Sequence, residues 1–107
     1  MKVEFKQWGK WIVVAVGGRI DALTSPQLDA AFKTGAGADA LWWAVDLSDA
    51  EYISSAGLRV LLAALKAAKA KHGGLALVHP RGNVQEVLEV AGFTRIMPTV
   101  ARVEDLP

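Results

Sequence analysis

The most constraining feature of this chain is a pair of short apolar runs separated by a long amphipathic stretch. Residues 41–47 read Leu-Trp-Trp-Ala-Val-Asp-Leu, and residues 75–78 read Leu-Ala-Leu-Val. Runs of this kind suit strands covered on both faces, because a strand wetted on one side alternates apolar with polar residues. Between them Leu58, Leu61, Leu62 and Leu65 recur at helical spacing and form one apolar stripe. Strand, helix and strand in that order imply parallel strands joined by a crossover.

The flanking segments extend this pattern. Val3–Trp8 alternates and ends at Gly9, and Lys10–Val16 follows as a second run, so the two read as a hairpin with an outer first strand. Gly17-Gly18 is expected to break the second run. Ser25 before Pro26 reads as a helix start, with Leu28, Ala31 and Phe32 at helical spacing and Gly35 and Gly37 closing the helix. Lys66, Lys69, Lys71 and His72 crowd the end of the long helix, where positive charge suits the helix dipole, and Gly73-Gly74 stops it. Pro80 stops the run at 75–78. Asn83 with Glu86 resembles a capping box for a helix carrying Val84, Val87, Leu88 and Ala91, ended by Gly92. Phe93–Met97 is expected as a short last strand and Ala101–Leu106 as a short terminal helix.

The expected class is therefore α/β: one domain over residues 1–107, with a mixed sheet of four to five strands and about four helices. The order is β-β-α-β-α-β-α-(β)-α, and so few helices leave coverage of the two sheet faces incomplete. A chain of 107 residues is long enough for one core without covalent staples. Twelve basic against eleven acidic residues leave a net charge of +1, which gives no reason to expect direct nucleic-acid binding. The absence of cysteine excludes disulfides, thiolate metal sites and a cysteine nucleophile. Lys10, Arg19, Asp21, Asp46 and Arg59 interrupt the apolar stretches, so no segment reaches the ~20 residues that would span a bilayer. Residues 1–6 lack an apolar signal core, and a cytoplasmic protein without membrane insertion is expected.

Several candidate sites carry little chemistry. Lys33-Thr34-Gly35-Ala36-Gly37-Ala38 looks superficially like a phosphate loop, yet it closes a helix where a phosphate cradle must open one. His72 and His79 have no second pair of ligands at metal-binding spacing. Ser54 and Ser55 lie between a strand and a helix, but Gly-x-Ser-x-Gly is absent and nothing suggests a substrate, so the expectation is no enzyme, no cofactor and no metal. Trp42 and Trp43 must point to opposite sheet faces if their run is a strand. Packing and partner binding both suit the four tryptophans.

The segment from Val45 to Leu62 is the most informative. A strand ends at Leu47, a polar turn follows, Tyr52-Ile53 anchors the chain, and two serines precede the long helix. The first turn of a helix has unpaired amides and a fractional positive charge. A serine there can cap the helix. It can also carry a phosphate of about −1.5 to −2 charge without unfolding the chain, while repelling whatever docks on that edge. Both roles fit the residues.

Tyr52-Ile53-Ser54-Ser55-Ala56-Gly57-Leu58-Arg59-Val60-Leu61-Leu62 resembles the phosphorylation-loop motif of STAS domains, the family of anti-sigma factor antagonists and sulfate-transporter tails. Gly18-Arg19-Ile20-Asp21-Ala22-Leu23-Thr24 is similar to that family's early Gly-x-Leu/Ile-Asp segment, and Leu75–Val78 and Val90-Ala91-Gly92-Phe93 match two later features in order. The resemblance implies that Ser55 is the phosphorylatable serine and that Ser54 stands where many members carry Asp. It matches Asp21 to a loop acid, and Asp46 with Ser48 to the segment after a strand; these residues are expected to gather beside the start of the long helix. Asp21, Thr24, Ser54, Ser55, Gly57, Leu58 and Arg59 are the implied partner-binding residues. The implied partners are an anti-sigma factor that is also a serine-protein kinase, bringing its own ATP and Mg²⁺, and a serine phosphatase. The alternative is a STAS subunit of a transport complex or another signalling assembly, never phosphorylated, which the missing acid at position 54 favours.

Overall fold

The computed structural model describes residues 1–34 and 40–107. The strands are β1 (Lys2–Trp8), β2 (Trp11–Ile20), β3 (Trp42–Asp46), β4 (Ala50–Ile53), β5 (Gly74–Val78) and β6 (Thr99–Val100). The helices are α1 (Ser25–Lys33), α2 (Ser55–Ala70), α3 (Gly82–Val90) and α4 (Phe93–Ile96), with a 3-10 turn at Val103–Asp105. The sheet runs β1-β2-β3-β5-β6, and β4 joins it by pairing with β2. Among the described residues only β1 is antiparallel to its neighbour; β2, β3, β4, β5 and β6 pair in parallel. This is the mixed α/β architecture that the alternation of strand and helix patterns implies.

β2 organises the sheet because it changes partner along its length. Ile12–Ala15 registers with Trp43–Asp46 of β3, while Gly18–Ile20 registers with β4. Gly17-Gly18 therefore does not end the strand. Gly18 takes a positive φ of 87° where the register shifts, so the glycine lets the strand bend onto a second partner. The additional strand β4 falls in what reads as a polar turn and an anchoring pair.

Other boundaries also move. α1 begins at Ser25 with Thr24 as N-cap, so Ser25 is a buried first helical residue and not the cap. α3 begins at Gly82, with Arg81 as N-cap and no side-chain cap bond, so the Asn83–Glu86 box does not form. Residues 93–97, expected as a strand, hold the short helix α4, which follows Gly92 in the left-handed region; the last strand lies just beyond, at Thr99–Val100. The expected helix at 101–106 shrinks to the 3-10 turn. Gly35, Gly37 and most of the phosphate-loop-like stretch lie outside the described residues.

The pleat divides the apolar side chains into two cores. The larger holds Val14, Val16, Trp43, Val45, Leu75 and Leu77 against Leu28 and Phe32 of α1, Leu61 and Leu65 of α2, and Val84 and Leu88 of α3. Each such leucine contributes roughly 1.5–3 kcal/mol by leaving water. The smaller core, on the opposite face, gathers Trp11, Val13, Ala44, Ala76 and Val78 beneath Val103, with Trp42 and Leu106 packed against it. None of the described α-helices enters it. Trp43 and Trp42 do face opposite sides, Trp43 edge-on to Phe32 at 5.0 Å and Trp42 edge-on to Trp11 at 5.4 Å.

Candidate functional site

The ends of β2 and β4 lie side by side, with Ile20 in register with Ile53. The chains leaving these strands thus emerge together: one passes through Asp21–Thr24 into α1, the other through Ser54 into α2. The Ser54 amide donates to the Ile20 carbonyl at 2.8 Å, extending the pairing by one bond. Ser54 keeps an extended backbone, with φ −96° and ψ 174°, and helical geometry starts at Ser55.

The two serines have different duties. Ser54 is half-buried, and its Oγ accepts a long bond of 3.5 Å from the Gly57 amide; its carbonyl accepts from the Leu58 amide at 3.0 Å. Ser55 is exposed, and no hydrogen bond among the described residues holds its hydroxyl. The amides of Ser55 and Ala56 have no intrahelical acceptor, as expected in a first helical turn. The positive end of the 16-residue helix α2 is therefore next to an uncommitted hydroxyl. Gly57 is needed for this approach: a Cβ there would lie 2.7 Å from Ile20 Cγ2 and 2.8 Å from Ile53 Cγ1.

Across from the serines, Thr24 and Asp21 fasten their own loop. Thr24 Oγ1 donates to the Arg19 carbonyl at 2.8 Å and accepts from the Asp21 amide at 2.9 Å. Asp21 Oδ1 accepts from the amides of Leu23 and Thr24 at 3.0 and 3.1 Å. The Thr24 amide, chiefly, holds the Asp21 carboxyl below its ordinary pKa; desolvation opposes this, and the Thr24 hydroxyl, the Leu23 amide and Arg19 add to it. Arg19 Nε lies 3.7 Å from Asp21 Oδ2, and its guanidinium sits 4.2 Å from the centre of the Tyr52 ring. That stack ties the β2 exit to β4.

The structure thus brings Asp21 and Thr24 to the same sheet end as Ser54, Ser55 and Gly57. Leu58, half-buried, packs against the large core, and Arg59 is exposed. Asp46 and Ser48 bond with each other and with Arg81, and no hydrogen bond among the described residues joins them to this group. Asp46 registers with Ala15 of β2, whereas the serines follow the part of β2 that registers with β4. Ser48 donates its hydroxyl to Asp46 Oδ1 at 2.7 Å and accepts at its carbonyl from Arg81 Nε at 2.6 Å, a bracing of the β3–β4 corner. Three neighbours of the site escape sequence reasoning: Arg19, Tyr52 and Leu23, the last 90% exposed. A large apolar residue just before Thr24-Ser25-Pro26 and outside the helical stripe was the available signal for Leu23.

His72 and His79 are both exposed with left-handed backbone. Among the described residues no three His, Asp or Glu side chains come close enough to hold a metal ion. No helix among them is long and apolar enough to cross a membrane.

A mixed sheet whose parallel end presents a serine-headed helix next to an Asp-braced loop defines an α/β domain built to offer that edge to a partner. The chain belongs to the STAS domain family: the family model described as "Mlab, STAS domain" matches residues 3–99. It is 31% identical over 98 residues to BtrV of Bordetella bronchiseptica, a protein named as an anti-sigma factor antagonist, across 92% of this chain and 84% of that one. Among solved structures it is similar to one assigned as an anti-sigma factor antagonist from Thermotoga maritima, with a TM-score of 0.88, 21% identity and coverage of 96% and 89%. It is also similar to SpoIIAA of Bacillus in two states. The unphosphorylated form gives a TM-score of 0.82 at 19% identity, covering 97% and 91%; the phosphorylated form gives 0.74 at 18%, covering 97% and 95%.

Proposed function

We propose that this chain is an anti-sigma factor antagonist whose docking on an anti-sigma factor is switched by phosphorylation of Ser55. One observation carries the reading: Ser55 is the exposed first residue of α2 with an uncommitted hydroxyl, whereas the Ser54 hydroxyl is engaged in the cap. BtrV, named as an anti-sigma factor antagonist, and SpoIIAA, solved with and without its phosphate, support it. In this reading the partner is a serine kinase that brings ATP and Mg²⁺. The γ-phosphoryl group passes from ATP to Ser55 Oγ, the serine proton is lost and ADP leaves. The amides of Ser55 and Ala56 and the helix dipole accommodate the new charge. The same charge repels a partner seated over Leu23, Ser55 and Arg59. A serine phosphatase reverses the step, and the exchange takes place in the cytoplasm.

Ser54 favours a second reading. The acid that many STAS members carry beside the serine is absent, which suits a docking subunit of a transport or signalling assembly that is never phosphorylated. Titration of the cognate anti-sigma factor against Ser55→Glu and Ser55→Ala separates the two. The switch requires Ser55→Ala to bind like the wild type and Ser55→Glu to bind at least about tenfold more weakly. Equal affinity of all three would remove the switch and keep the antagonist, and no binding by any of them would leave the second reading.

A further inference from the structure

β1 is the edge of the sheet, and among the described residues nothing pairs with its outer side. Exposed edges are usually blunted by charged side chains, proline or bulges, or are covered by a helix or loop. β1 has neither proline nor bulge; its charged side chains guard the edge, but they alternate in sign, Lys2, Glu4, Lys6, so that an antiparallel copy of the same strand can match them. Lys2, Glu4, Lys6 and Trp8 share one face, and Val3, Phe5 and Gln7 the other. Phe5 and Trp8 are each 45% exposed.

We infer that β1 pairs antiparallel with β1 of a second copy of this chain, about a two-fold axis through Phe5, to make one continuous sheet. The strand is self-complementary in that register. Glu4 lies opposite Lys6 of the copy and Lys6 opposite its Glu4, giving two cross-strand ion pairs. Lys2 lies opposite the indole of Trp8, twice, in cation–π reach. Phe5 lies opposite Phe5 on the other face, where aromatic cross-strand pairs contribute most. The Glu4 carboxylate, now 3.1 Å from Lys2 Nζ of its own strand, has a second oxygen for Lys6 of the copy.

The alternatives are disfavoured by the same residues. A two-fold axis normal to the sheet keeps each face on its own side, so the register can shift only by even steps. A shift of one step sets Glu4 against Glu4 and Lys2 against Lys6. The opposite shift sets Lys6 against Lys6. Like charges directly opposed destabilise a pair, so the sequence selects the Phe5-centred register. Only short strands meet, so the contact is weak and concentration-dependent.

Sedimentation equilibrium of the whole chain tests this. The wild type is expected to approach twice the monomer mass as concentration rises. Glu4→Lys and Lys6→Glu alone each place two like-charged pairs across the axis and should weaken association by about tenfold or more. Mixed in equal amounts, the two variants place Lys opposite Glu at every charged pair and should associate again. The double variant Glu4→Lys/Lys6→Glu should also associate, because it exchanges both signs together. Circular dichroism and melting of each variant establish that the fold is intact. A wild type that stays monomeric to millimolar concentration overturns the inference. So does association equally strong in both single variants, or a mixture that fails to associate.

Discussion

The amide of Ser54 donates to the carbonyl of Ile20 at 2.8 Å, so the N-cap of α2 is hydrogen-bonded to the last residue of β2. The helix start is therefore positioned by the sheet and not by its own loop. Movement of one is felt at the other, and the packing beneath Ser55 decides how firmly that serine is presented.

Gly57→Ala tests this packing. A methyl group at Gly57 would press on Ile20 and Ile53, which are 0% and 2% exposed and cannot swing aside. The gain in helix propensity, about 1 kcal/mol, offsets only part of the overpacking. A net loss of about 1–2 kcal/mol in urea unfolding is expected, with weaker partner binding. An unchanged midpoint would mean that α2 does not sit on the ends of β2 and β4 as described.

Ser54 gives a graded result. Its bond to the Gly57 amide is long, so Ser54→Ala should cost only about 0.5 kcal/mol, the low end for an N-cap. Ser54→Asp places a full negative charge at the helix start and should add about 0.5 kcal/mol, an effect that fades in high salt. It also restores the acid that many STAS members carry, so phosphorylation of Ser55 by a cognate kinase should speed up. A slower reaction would mean that the acid is not what the kinase reads.

Asp21 supplies a pH signature. Its carboxyl is held below the ordinary value of 3.8, mainly by the Thr24 amide. A depressed pKa means that the folded state favours the ionised form. The stability Asp21 provides is complete above its unfolded value and is lost as pH falls through the lower folded one. Asp21→Asn should therefore be less stable than the wild type at pH 7, and the gap should close on acidification below about pH 4. A gap that stays constant with pH would assign the loss to geometry and not to charge.

What could be read from the sequence followed from local physics. The Leu58–Leu65 stripe, the buried run around Trp42–Trp43 and the serine pair at a helix start each declare themselves within a few residues. β4 did not, because Ala50–Ile53 is four residues long and is a strand only through its register with β2. Gly17-Gly18 reads as a stop on local grounds, but the neighbouring strands turn it into a change of partner. Phe93–Met97 is rich in apolar and β-branched residues, yet Gly92 in the left-handed region starts a helical turn that seats Phe93 in the core. Arg19 and Tyr52 meet across two strands, a contact that no spacing encodes.

The second sheet face yields the last prediction. Trp11 and Trp42 are sheltered there by the segment after β6: Val103 is 8% exposed, and Trp11 Nε1 donates to the Pro107 carbonyl at 3.0 Å. Val103→Ala removes about two methylenes from this contact, worth about 1.5 kcal/mol in all at about 0.8 each. The melting temperature should fall by about 6 °C, and tryptophan emission should shift to the red as Trp11 meets water. The site around Ser55 lies at the end of β2 and β4, in contact with the other core, so partner affinity should be unchanged. A melting temperature and emission that do not move would mean that this segment is not what shelters the face.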